Sequence, residues 1–225
     1  MKKFTPKQYK QEEAMLEQKI IRMLRVNEWG VIKTHGNKFQ AGFPDLYCFH
    51  HVYGTRWIEV KLEGQVSFTE YQAYYFPIIK NVWVLTGTSN TEYQKLFKNP
   101  NFDHLMGYCN VAKKKETVVQ KHYEGQIQLQ VQADLEADGY TVMPTFGNNV
   151  QKGLPDLYLV KGNRRQWLEL KRIMSFTPAQ IKNFPRMIAC GVKIWVLDVA
   201  DGKYDLNILK GPYLGHFMET NNGKI

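Results

Sequence analysis

The segment Ala41-Gly42-Phe43-Pro44-Asp45-Leu46-Tyr47 returns 111 residues later as Lys152-Gly153-Leu154-Pro155-Asp156-Leu157-Tyr158. Trp57-Ile58-Glu59-Val60-Lys61 returns 110 residues on as Trp167-Leu168-Glu169-Leu170-Lys171. Ser67-Phe68-Thr69 with Gln72, Phe76 and Pro77 returns at a spacing of 108, and Trp83-Val84-Leu85 at 112. Order and spacing are both kept, so the 225 residues are read as a duplication covering nearly the whole chain. Two domains of ordinary size follow, 1–112 and 113–225, with the charged, aperiodic run Lys113-Lys114-Lys115-Glu116 as a solvated linker. The first two changes of spacing mark loops that gained or lost residues.

Leu16, Ile20 and Leu24 match Ile127, Val131 and Leu135, an i, i+4, i+8 stripe that predicts an amphipathic helix at the start of each copy. In copy 1 the pattern predicts a helix near 10–27, strands near 31–34, 44–50 and 56–61, a helix over 69–80 and a strand over 82–86, an αβββαβ order. Thr69-x-x-Gln72 and Thr177-x-x-Gln180 both read as capping boxes, and Pro178 sits at the first helical position. Composition agrees with a folded core: 44% of residues are hydrophobic and 23% charged. Cys48, Cys109 and Cys190 are too scattered for a disulfide framework or a zinc site. A leader-like apolar stretch and a membrane span are absent from the pattern, which predicts a soluble intracellular (cytoplasmic) protein with no membrane partner.

Alternation along Trp57–Lys61 puts Glu59 and Lys61 on one side of a strand, and an antiparallel pairing would bring Asp45 to the same end. Two hard carboxylates and an amine beside an apolar sheet carry a desolvation cost that a function would explain. That set suits metal-assisted phosphodiester hydrolysis: carboxylate oxygens hold Mg²⁺ or Mn²⁺, the ion activates a water, and the lysine orients that water or stabilises developing charge. The backbone carbonyl between the two side chains, at Val60 and at Leu170, is a further candidate ligand. One Glu-x-Lys is expected about once by chance in a chain of this length. Its recurrence with Pro-Asp in both copies, while Phe43 has become Leu154 and Cys48-Phe49-His50 has become Leu159-Val160-Lys161, is what singles it out.

The succession Gly-x-Pro-Asp-Leu, an apolar strand with Glu-x-Lys, and Ser/Thr-x-x-Gln opening a helix resembles the VRR-NUC (virus-type replication-repair nuclease) group of the PD-(D/E)XK nuclease superfamily, over about 90 residues of each copy. The resemblance implies an α/β protein of two tandem restriction-endonuclease-like domains with αβββαβ cores, arranged as a pseudo-twofold intramolecular dimer. It implies metal-binding acids at Asp45, Glu59, Asp156 and Glu169, catalytic Lys61 and Lys171, and active-site glutamines at Gln72 and Gln180. A further acid on the first helix falls at Glu17. Copy 2 has Gln128 there, with Glu124 one turn earlier, so a weaker second site is expected.

The formal charge of +9 divides as +4 and +5 between the halves, which fits two nucleic-acid-facing surfaces. Lys33, Lys38, Lys152, Arg164 and Arg165, in or near loops flanking the sites, are candidate phosphate contacts. The expected activity is that of a Mg²⁺-dependent DNA endonuclease, and by analogy with the family its substrate is branched DNA such as a four-way junction. A less selective nuclease or nickase on linear or single-stranded DNA, and a non-hydrolytic nucleic-acid-binding module, are the alternatives.

Overall fold

The computed structural model of the chain describes residues 5–34, 42–64, 67–100, 123–145 and 153–215. It is a mixed α/β protein with two four-stranded mixed sheets and, among the described residues, five α-helices. The chain divides into two compact units, Met1–Lys115 and Glu116–Ile225.

Unit 1 runs α1 (Pro6–Val26), β1 (Gly30–Lys33), β2 (Leu46–His50), β3 (Gly54–Val60), α2 (Glu70–Ile79), β4 (Val82–Leu85) and a short α3 (Asn90–Gln94). Unit 2 runs α4 (Tyr123–Ala137), β5 (Thr141–Pro144), β6 (Leu157–Lys161), β7 (Arg164–Lys171), α5 (Pro178–Ala189) and β8 (Ile194–Asp198). Both sheets keep sequence order, with three antiparallel strands and a fourth parallel to the third. A parallel neighbour needs a crossover, which α2 and α5 supply.

Alternation along β3 sends Ile58 and Val60 into a core with Ile20 and Leu24 of α1 and Leu46, Cys48 and Leu85 of the sheet. Val131 and Leu135 of α4 do the same in unit 2 with Leu157, Leu159 and Leu168. On the opposite face Trp57 packs against Tyr47 and Phe43, with ring centroids 4.7 and 5.5 Å apart.

Helix α1 starts four residues before its expected beginning. Thr5-Pro6-Lys7-Gln8 is a third copy of the signature seen at the second helices: Gln8 N–H donates to Thr5 Oγ1 at 3.3 Å and Thr5 N–H to Gln8 Oε1 at 3.0 Å. Its end is less favourable. Glu28 takes φ +64°, a left-handed conformation that costs a side-chain-bearing residue roughly 1–2 kcal/mol, where the equivalent end of α4 has Gly139 at +82°.

The change of spacing between the Asp and Glu segments is the loss of one residue from a turn: His51, Val52 and Tyr53 join β2 to β3, whereas Gly162 and Asn163 alone join β6 to β7. The Gly-x-Pro-Asp glycine has a packing reason. Gly42, at φ +99°, lies against Tyr71 and Tyr75 of α2; Gly153, at φ +92°, lies against Ala179 and Asn183 of α5. A Cβ on Gly153 would stand 2.8 Å from the Ala179 carbonyl oxygen, while one on Gly162, at φ +57°, would meet nothing within 4 Å. Gly153→Ala is therefore expected to cost about 2–3 kcal/mol and Gly162→Ala about 1 kcal/mol, measured by urea unfolding followed through tryptophan fluorescence. Equal losses would refute the packing account.

Candidate active site

Antiparallel pairing of Leu46 with Ile58 sets Asp45 opposite Glu59, and pairing of Leu157 with Leu168 sets Asp156 opposite Glu169. The strand before holds the aspartate's backbone. Thr34 N–H donates to the Asp45 carbonyl at 2.9 Å and the Thr34 hydroxyl donates to the Pro44 carbonyl; Thr145 does the same for Asp156, at 2.8 Å, and for Pro155. The carboxylates are aimed by β3 and β7. Val60 N–H donates to Asp45 Oδ2 at 2.7 Å, and Leu170 N–H to Asp156 Oδ2 at 2.8 Å. Val60 and Leu170, expected to offer carbonyls, thus also fix the aspartates through their N–H groups.

Glu59 and Glu169 are each 1% exposed. Glu59 Oε1 accepts from Gln72 Nε2 at 2.6 Å and lies 2.6 Å from Lys61 Nζ. Glu169 Oε1 accepts from Gln180 Nε2 at 2.6 Å and lies 2.8 Å from Lys171 Nζ. Each glutamine also caps its helix: the Thr69 N–H donates to Gln72 Oε1 at 3.1 Å and the Thr177 N–H to Gln180 Oε1 at 3.0 Å. Capping and site roles are met by one amide. In unit 2, Lys171 Nζ adds a 3.1 Å bond to Gln180 Oε1.

Burial, followed by the nearby aspartate charge, pushes the glutamates up, to about 8 at Glu59 and about 7 at Glu169, against the lowering effect of the lysines and glutamines. Burial by itself would lower Lys61, but Glu59 and Asp45 outweigh it, so its pKa is raised and the amine stays charged. The other glutamate oxygen, Oε2, is buried without a hydrogen-bond partner in both units. A buried carboxylate oxygen left without a donor costs free energy, and a cation would relieve it. Asp45 with Glu59, and Asp156 with Glu169, are thus a hard-oxygen donor set that fits Mg²⁺ or Mn²⁺.

On α1, Tyr9, Glu13 and Glu17 follow at i, i+4 spacing, along the stripe that ends in Ile20 and Leu24. Tyr9 and Glu13, not singled out by the sequence reading, lie within electrostatic reach of the site. The Glu13 charge bears on Lys61, and Tyr9 interacts electrostatically with Lys61 and Glu59 while its hydroxyl donates to Glu13 Oε1 at 3.4 Å. Glu17 lies one turn further on, buried, with its Oε1 2.6 Å from Lys33 Nζ. That contact is close in distance but lacks hydrogen-bond geometry, since Glu17 Oε1 has no hydrogen-bond partner. The repeat carried a usable signal, because Glu13 matches Glu124 of α4 across the two copies, whereas Glu17 matches Gln128. The exchange of Glu17 for Gln128 therefore leaves the acid at the Glu13 position intact. Lys33 also changes with it, to Pro144, so unit 2 loses both members of an ion pair together.

Of the expected phosphate contacts, Lys38 and Lys152 lie outside the described residues, and Lys33 is held by Glu17. Arg164 and Arg165 do not flank the site. They open β7 at its hairpin end, pairing with Lys161 and Val160, roughly 13–17 Å along the strand from Glu169.

Glu28, His50 and His51 bring ligand-type atoms within 4.8 Å of one another at the far end of β2. His50 Nδ1, however, accepts from the Val52 N–H at 3.0 Å, which places the proton of the neutral ring on Nε2 and leaves no lone pair for an ion. Unit 2 has Lys161 and Gly162 in place of the two histidines.

The chain matches no family model, no curated protein and no solved structure.

Glutamates whose folded pKa lies above the unfolded value near 4.5 make the native state bind more protons than the unfolded one between about pH 5 and 8. Stability is then greatest at the acid end of that window and falls as pH rises through it. Lys61, raised above 10.5, changes stability only at higher pH. In EDTA the melting temperature is expected to fall from pH 5 to pH 8 and to level off above, read by calorimetry. A melting temperature rising over that range would refute this account of the two carboxylates.

Proposed function

We propose that the chain is a metal-dependent DNA endonuclease, with one phosphodiester-hydrolysing site in each of two PD-(D/E)XK-like units, and that branched DNA is its substrate. The observation that carries this reading is the repeated set of buried glutamate and glutamine with half-buried aspartate and lysine, in which each glutamate keeps one oxygen without a hydrogen-bond partner. Such a set costs several kcal/mol of desolvation in each unit, and no packing requirement explains it twice. The VRR-NUC-like order of the motifs supports the same reading.

A bound divalent ion would polarise a phosphoryl oxygen and acidify a water. Asp45 with Glu59, and Asp156 with Glu169, would hold it, with the Val60 and Leu170 carbonyls as further oxygen donors. The chain's own groups divide the rest of the work. The Val60 and Leu170 N–H groups fix the aspartates, Gln72 and Gln180 fix one glutamate oxygen, and the other oxygen, buried without a hydrogen-bond partner, would be available to a cation. Lys61 and Lys171 sit on the same glutamate oxygen as the glutamines, and from there each ammonium could orient the attacking water or donate to the charge developing on phosphate. Glu13 could supply a third carboxylate on the helix side of unit 1, and Glu124 is the matching acid in the sequence of unit 2.

Purified protein is expected to cut four-way junction DNA in Mg²⁺ and to be inactive in EDTA. The Lys61→Ala, Lys171→Ala double variant should lose at least about a hundredfold in rate. Full activity in that variant, or products that persist in EDTA, would sink the proposal. Binding without products under any metal would leave a nucleic-acid-binding protein. Because Glu13 and Glu124 match, Asp45→Ala and Asp156→Ala should weaken cleavage to within about threefold of one another; a large difference would instead restore Gln128 as the weak point of unit 2.

A further inference from the structure

Immediately after Lys171, Ile173 and Met174 are 78% and 60% exposed, and Ile181 on the first turns of α5 is 56% exposed. Exposing that much apolar surface in one short stretch calls for an explanation. The loop is held out by its ends. Val199 N–H donates to the Lys171 carbonyl at 2.8 Å, and Phe176 packs edge-on against Phe184 of α5 with centroids 5.9 Å apart. Between these anchors Ser175 N–H donates back to the Ile173 carbonyl at 2.7 Å, a tight turn that presents the two side chains to solvent.

The chain that carries this loop is basic, although the exposed Asp198 pairs with Lys171 at its base. From Arg172 to Lys193 the chain carries Arg172, Lys182, Arg186 and Lys193 and no acid, with all four basic residues exposed. The matching stretch of unit 1, 62–81, has Lys80 against Glu63 and Glu70, and Tyr74 and Ile78 stand where unit 2 has Lys182 and Arg186. An apolar tip with exposed basic residues before and after it in the chain fits DNA better than a protein surface: cations meet phosphates, and aliphatic side chains enter between base pairs where the duplex opens.

Resting on the nuclease reading above, we propose that Ile173 and Met174 form a wedge that unit 2 inserts into the base stack of the DNA held at its site, with Arg172, Lys182 and Arg186 on the flanking phosphates. A branch point, where stacking is already interrupted, is the cheapest place to insert it.

The test uses the full chain with Ca²⁺ in place of Mg²⁺ and a four-way junction carrying 2-aminopurine next to the branch, whose fluorescence rises when it unstacks. Wild-type protein is expected to raise that fluorescence severalfold. Ile173→Ser with Met174→Ser should abolish the rise while still binding the junction, and its unchanged melting temperature would show that the fold is intact. Arg172→Gln with Lys182→Gln should weaken binding and lower the slope of log affinity against log salt by about 2. Binding without a fluorescence rise, or an equal rise in the double-serine variant, would overturn the wedge and leave the nuclease reading standing. A wild-type dimer in sedimentation that the serine pair converts to monomer would overturn it in favour of contact between copies. Failure of the wild type to bind the junction at low salt would remove the nucleic-acid reading and the wedge with it.

Discussion

A carboxylate shut away from water persists only where neighbours share its charge, and the architecture around Glu59 and Glu169 is arranged about that requirement. Each glutamate sits at the end of the third strand of its sheet, with a lysine two residues on and a glutamine reaching down from the crossover helix. The strand pairing supplies the fourth member, because register places the Pro-Asp aspartate directly opposite. Slipping either hairpin by one residue would turn the aspartate to the other face and leave the glutamate's immediate surroundings without their second acid. The short strands, the helix caps and the close approach of the Gly-x-Pro-Asp glycine to the helix all serve to hold this geometry against its own electrostatic cost.

Most of the architecture could be read before the structure, and the reason is duplication. Comparing one copy with the other separated retained positions from drifting ones, as an outside sequence would have done. The αβββαβ order and the strand carrying Glu-x-Lys were legible in this way, as were the capping boxes at Thr69 and Thr177. The misses have local causes. The Thr5-Pro6-Lys7-Gln8 start was overlooked because the hydrophobic stripe begins a turn later. Glu17 is one of the acids on that helix, and the one retained across both copies in sequence is a turn earlier, at Glu13 and Glu124. Arg164 and Arg165 were expected in a loop beside the site. They belong to a strand, and strand length alone carries them to its far end. The relay from Gln72 to Glu59 and the N–H bond to Asp45 depend on side-chain direction in three dimensions, which spacing does not encode.

Outside the shared centre the two units have gone separate ways, and the differences come in compensated sets. Glu17 and Lys33 change together to a neutral pair, so no buried charge is stranded. The strained Glu28 of one helix end is a glycine in the other, and a three-residue turn has become a two-residue one beginning with glycine, as tight hairpins require. The crossover helix has exchanged half-buried tyrosine and isoleucine for lysine and arginine. A scaffold that holds its centre by backbone register and a few buried bonds leaves its outer faces free to specialise.

Gln72 and Gln180 each use both ends of one amide, the oxygen for the helix and the nitrogen for the carboxylate. This arrangement leaves almost no chemical latitude at that position. Glutamate would keep the cap but set two carboxylates face to face; serine or asparagine would be too short to span from cap to strand; lysine or arginine would hold the acid and abandon the helix end. Slow deamidation, a change of one atom group on an ageing chain, would have the effect of the first of these. The same amide that ties the helix to the sheet is thus a point at which chemical ageing would be registered at the centre of the domain.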